Sequence, residues 1–114
     1  MSQDILEMIK KEIDSNTICL FTKGTADMPM CGFSARTIAV FKEIGKPFKT
    51  VDILPDPRIR QVLSSFSHWP TVPQVFVGGK FIGGCDIVTE MYQKGELQPL
   101  VEGAFKKQPS APVR

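Results

Sequence analysis

Apolar residues recur along the chain with two different periods, and the period changes from segment to segment. Ile5, Ile9 and Ile13 fall four apart among acids, amides and lysines, the spacing of one face of a helix. "TICLF" at 17–21 is instead a continuous apolar, β-branched run, short enough to be a buried strand. A loop with Gly24 and Pro29 follows. Helical spacing returns from Gly32, at Phe33, Ile38, Phe41 and Ile44, with Gly45 as the stop and Pro47 behind it. "FKTVDI" reads as a second strand. Asp56 and Pro57 then open another helix as N-cap and first helical residue, and Ile59, Val62, Leu63 and Phe66 form its expected buried face.

"PQVFVGGKFIGG" has two β-rich runs separated by Gly78-Gly79, a strong hairpin signal. Asp86 is the expected cap of a helix carrying Ile87, Val88, Met91 and Tyr92, stopped by Gly95, and a last short helix holds Leu97, Leu100 and Val101. A strand–helix–strand unit requires a crossover and parallel pairing, whereas the hairpin adds antiparallel strands. The expected fold class is therefore α/β, a mixed four-stranded sheet flanked by helices on both faces. The end, "KKQPSAPVR", has prolines and no large apolar residue, so a single domain over 1–106 and a disordered tail over 107–114 are expected.

Composition removes several function classes. A net charge of +2, with lysines and arginines scattered among acids, argues against nucleic acid. No apolar stretch approaches the roughly 20 residues of a membrane span. The opening "MSQDILEMIKKEI" is an amphipathic pattern with acids rather than a signal or transit peptide, so a cytoplasmic protein is expected. Three cysteines without framework spacing suggest a reducing compartment with free thiols.

One of those thiols stands where chemistry is expected. Cys31 lies where the Gly/Pro-containing loop gives way to a helix, whose unpaired N–H groups and dipole favour an anion. Lys23 could add positive charge. A C-x-x-C enzyme would carry its second cysteine at position 34, but this chain has Ser34, which cannot resolve a mixed disulfide. Cys31 is left with two uses: exchange with an external thiol, or ligation of a metal cluster. Cys19, in an apolar strand, reads as packing. His68 beside Trp69 reads as a surface residue, and Met28 and Met30 as cover for the site.

"CGFS" after "KGT", then "WPTVPQVFVGG", then "GGCDI" resemble the monothiol glutaredoxins, within the thioredoxin fold. The likeness runs from about Ile5 to about Phe105 and matches the short single-domain form. It implies glutathione bound beside Cys31, at a site of Lys23, Phe33, Arg60, Val72, Pro73, Gly84, Cys85 and Asp86. Val72 would precede a cis Pro73 and pair with the extended tripeptide as a strand would. Lys23 and Arg60 would meet the glycine carboxylate. Arg60 alone, on the polar face of its helix, reads only as a solvated charge. Gly84 allows close approach, the N–H groups of Cys85 and Asp86 would hold the γ-glutamyl carboxylate, and the Asp86 side chain the ammonium.

The resemblance also implies a cargo. A [2Fe–2S] cluster needs four thiolates. Two chains, each giving Cys31 and one glutathione, supply them across a homodimer, for delivery to apo iron–sulfur proteins and with BolA-like proteins as partners. The loop "TADMPM" before Cys31 looks long and flexible, and the resemblance implies that an extended loop there goes with poor oxidoreductase turnover, which favours the cluster role. Weak removal of glutathione from protein thiols remains the alternative activity. A Cys31–Cys85 disulfide under oxidation is left open.

Overall fold

The structure is a computed structural model, and it describes residues 2–107. Helix α1 (Ser2–Ser15) leads into strand β1 (Ile18–Thr22), followed by α2 (Gly32–Ile44) and β2 (Lys49–Asp52). Helix α3 (Pro57–Ser67), the hairpin β3 (Gln74–Val77) and β4 (Lys80–Gly83), and helices α4 (Cys85–Gln93) and α5 (Leu97–Lys106) complete the order. The strands form one sheet in the order β2-β1-β3-β4. β1 is parallel to β2, while β3 is antiparallel to both β1 and β4. The chain thus has the α/β thioredoxin architecture, a mixed four-stranded sheet between helices.

Alternation along the central strands divides the core in two. Cys19 and Phe21 of β1 and Phe76 of β3 point to one side, where Ile5, Ile9 and Ile13 of α1 and Ile59 and Leu63 of α3 cover them. Ile18 and Leu20 of β1 and Val75 and Val77 of β3 point to the other, under Ile38 and Phe41 of α2, Val88 of α4, and Leu97 and Val101 of α5. All five β1 residues are buried, which explains the absence of a polar alternation in "TICLF".

The punctuation works largely as expected. Gly45 takes a left-handed φ of 82° and closes α2 through its N–H to Phe41 O. Asp56 accepts the Arg58 N–H at 3.0 Å and caps α3. Gly78 and Gly79 have φ of 61° and 82°, the pair of positive values that a tight hairpin turn needs.

Five expectations are corrected. Phe33 is exposed rather than on the buried face of α2; five residues at 100° put it about 140° around the helix from Ile38, and Ser34 takes the inward place instead. Phe66 and Leu100 are also outward. Phe66 lies over the edge of the core with its ring 6.3 Å from that of Phe76. Ile87 is outward too and packs over Gly83. Asp86 is not the cap of α4: Gly84, in extended conformation, holds that place, and its carbonyl accepts the Val88 N–H at 3.1 Å. Asp86 stands in the first turn, where its charge still suits the helix dipole. The expected tail lies outside the described residues apart from Lys107.

Candidate functional site

Cys31 is the N-cap of α2, in extended conformation, and half-buried. The segment leading to it is pinned rather than flexible, contrary to its appearance in the sequence. Thr25 and Met28 exchange backbone hydrogen bonds at 3.2 Å, and the Met30 N–H reaches Lys23 O at 2.8 Å. Gly24 bridges to Pro29, and its N–H is held by Asp52 Oδ1 at 2.9 Å. A Cβ on Gly24 would stand 2.5 Å from Met28 O, so only glycine fits this fold-back. Lys23 is fixed at both backbone atoms, because its N–H also donates to Ser34 Oγ at 3.0 Å. Ser34 is fully buried. The position of an expected second thiol is thus occupied by a hydroxyl that ties the end of β1 to the first turn of α2.

The three thiols differ in what surrounds them. Cys31 is held below the ordinary thiol value chiefly by the Ser34 N–H, then by the Phe33 N–H, the Ser34 hydroxyl and the charge of Lys23. Cys19 is pushed up to about 12 by burial, reinforced by Glu12. Cys85 is 6% exposed, with its sulfur 3.9 Å from Thr89 Oγ1. All three are free. Cys31 is therefore the thiol equipped to act as a nucleophile or ligand.

Beside it opens a cavity of about 620 Å³, within the range of small-molecule sites. Lys23, Cys31, Phe33, Arg60, Val72, Pro73, Gly84, Cys85 and Asp86 all line it, drawn from the end of β1, α2, α3, the approach to β3 and the start of α4. The Val72–Pro73 bond is cis. Arg60 leans across from α3, with Nη1 2.9 Å from Pro70 O, which leaves other guanidinium N–H groups for a ligand. Opposite, the first N–H groups of α4 have no partner within the helix and offer an anion site where Asp86 supplies the countercharge. The walls are thus cationic at one end, mixed at the other, and apolar between.

Sequence reasoning missed Trp69, Pro70, Thr71 and Ile87, which complete the lining. The Trp69 ring rests 5.4 Å from that of Phe81, and its Nε1 abuts Gly84. Any Cβ on Gly84 would meet that nitrogen at 3.3 Å and Pro73 O at 3.2 Å. Gln74 is a further miss, and an amide at the head of an otherwise apolar strand is a usable signal for it. His68 is an exposed C-cap of α3 with φ 60° and does not line the cavity. Met28 and Met30 stand 70% and 65% exposed outside it, so they do not cover the site. Among the described residues no three His, Cys, Asp or Glu converge as a metal site, and no helix is long and apolar enough to cross a membrane. A second hollow, between α1, the hairpin and α5, contains no cysteine.

Comparison with known proteins places this arrangement. The family description "Glutaredoxin" matches residues 18–82. A Synechocystis protein named as an uncharacterized monothiol glutaredoxin is 44% identical, over 92% of this chain and 98% of its own. Glutaredoxin 4 of Escherichia coli K12 is 46% identical, over 90% of this chain and 89% of its own. Among solved structures, reduced poplar apo GrxS14 superposes with a TM-score of 0.80 at 44% identity, covering 89% of this chain and 93% of that one. A buckwheat glutaredoxin–glutathione complex gives 0.81 at 29% identity, covering 91% and 93%. With Cys31 at the head of α2 and Ser34 where a second thiol would stand, this chain belongs to the glutaredoxin family, among its monothiol members.

Proposed function

We propose that this protein is a glutathione-dependent carrier of [2Fe–2S] clusters, with the cluster shared by two chains. One observation carries the reading. Cys31 is a half-buried thiol that lines a cavity of small-molecule size, and the place of a resolving thiol is taken by a buried, hydrogen-bonded serine. Cys19 is sealed in the core and Cys85 nearly so, which leaves one protein thiolate per chain available to a cluster that needs four. Glutathione in the cavity contributes a second thiolate per chain, and two chains complete the set.

The cavity suits glutathione chemically. Lys23 and Arg60 provide cations for its glycine carboxylate. The start of α4 and Asp86 provide donors and a countercharge for its zwitterionic γ-glutamyl end, and Val72 offers backbone between them. The buckwheat complex supports the assignment, since that relative of the same fold was solved with glutathione. Cys31 and the glutathione thiol hold iron as thiolates, which the lowered proton affinity of Cys31 favours. Cargo held by only one protein ligand per chain can be surrendered to a recipient, which suits a carrier to apo iron–sulfur proteins, with BolA-like proteins as regulatory partners.

The same thiolate would also serve a weak oxidoreductase that strips glutathione from protein thiols. Anaerobic incubation with iron, sulfide and glutathione separates the two. A carrier becomes brown and passes its colour to an apo-ferredoxin, whereas a colourless chain that reduces a glutathione mixed disulfide belongs to the enzyme class.

A further inference from the structure

Gln74 begins β3 directly opposite Phe21 and has no exposed surface. Its Nε2 donates to Trp69 O and Thr71 O, both at 3.0 Å, while its Oε1 has no partner among the described residues. Burying an amide with an unmet acceptor is costly, and an apolar side chain would fill the same space without that cost. The two carbonyls it holds belong to the segment that walls the cavity, and Arg60 holds the carbonyl between them, Pro70 O, from outside.

The consequence lies in the geometry of one peptide group. Among the described residues the cis bond is Val72–Pro73, so the Thr71–Val72 peptide is trans. In a trans peptide the C=O and the following N–H point in opposite directions. Thr71 O is drawn inward to Gln74, and the Val72 N–H is therefore turned outward, away from the core. Among the described residues nothing accepts from it.

We propose that Gln74 is a positioning residue of this site: from inside the core, its amide fixes the Trp69–Thr71 wall and aims the Val72 N–H into the cavity as a donor for an extended peptide ligand. The proposal rests on the reading that the cavity takes glutathione. Gln74 itself does not line the cavity. It also holds Trp69, whose Nε1 abuts Gly84 at the head of α4, so one side chain sets both the middle of the cavity and the wall against its anion-binding end.

The test compares the full-length protein with Gln74→Met, which keeps the length without the donors, and Gln74→Glu, which keeps the shape but, with one O–H when neutral and none when ionised, cannot hold both carbonyls. Calorimetric titration with S-methylglutathione reads affinity without thiol exchange. Affinity is expected to fall about tenfold in both variants, the order of one lost hydrogen bond. The pH profile of Cys31 alkylation is expected to stay in place, since Gln74 is not among the groups acting on that thiol. Unchanged affinity in a folded variant overturns the proposal. If the wild-type protein itself binds no S-methylglutathione, the glutathione reading fails, and the role of Gln74 is then read from the amide NMR signals of Val72 and Trp69. Those signals are expected to shift and broaden in Gln74→Met; their staying in place overturns the aiming role whatever the ligand.

Discussion

Ser34 shows how one atom at position 34 changes what Cys31 can do. Its hydroxyl accepts the Lys23 N–H and, with its own N–H, favours the thiolate of Cys31. Alkylation of Cys31 is therefore expected to reach half its maximal rate at a pH below that of a free thiol. Ser34→Ala is expected to move that midpoint upward, read by iodoacetamide labelling and mass spectrometry across pH; an unmoved midpoint would remove the hydroxyl from the account. The same depression has a stability consequence with a definite sign. The folded state binds this proton less tightly than the unfolded chain, so the contribution is present above the ordinary thiol value of 9.0 and is lost as pH falls through the lowered folded value. Cys19 has the opposite sign. Its folded value of about 12 means that stability present below 9.0 is lost as pH rises towards 12, and that it resists labelling until the fold opens. At Gly84 the argument is steric: Gly84→Ala would press on Trp69 Nε1 and Pro73 O from 3.3 and 3.2 Å. Its expected effect is a several-fold weaker affinity for glutathione with the Cys31 pH profile unchanged.

At the scale of elements, the turn from Gly24 to Met30 and the heads of α2 and α4 are what bring the site together. The turn is closed by the bridge of Gly24 to Pro29 and by Asp52 Oδ1, which accepts the N–H groups of Gly24 and Leu54. Gly24→Ala would place a methyl group against Met28 O at a φ of 91°, and the expected cost is about 2–3 kcal/mol. A melting temperature equal to wild type would show that the turn is not held as described. Much of this scale was legible in the sequence. The order of nine elements followed from changes of apolar period, from Gly45 and Pro57, and from the Gly78-Gly79 pair. The errors have two physical origins. Phe33 is turned off the buried face by its own spacing from Ile38, whereas Phe66, Ile87 and Leu100 are apolar residues whose outward positions depend on what neighbouring elements leave uncovered, which a one-dimensional period does not record. The loop before Cys31 looked flexible because its ties run to Lys23 and to Asp52, one of them across 28 positions of the chain. Asp86 matched the chemistry of a cap, but Gly84 could take the extended backbone first.

For the whole molecule, the candidate site was more legible than its supporting shell. "CGFS", "WPTVP" and "GGCD" each mark a stretch of backbone, and the fold brings all nine expected residues around one cavity. Trp69, Thr71 and Gln74 were missed because their work is done through carbonyls and packing rather than through recognisable chemistry. The central claim concerns how one thiolate per chain is completed to four. Native mass spectrometry after anaerobic loading with iron, sulfide and glutathione tests it most directly. The account predicts an assembly of two chains, two glutathiones and one [2Fe–2S] cluster, lost when glutathione is withheld or when Cys31 is replaced by serine. A cluster held by a single chain, a loaded dimer without glutathione, or a chain that binds glutathione and takes up no cluster would contradict it.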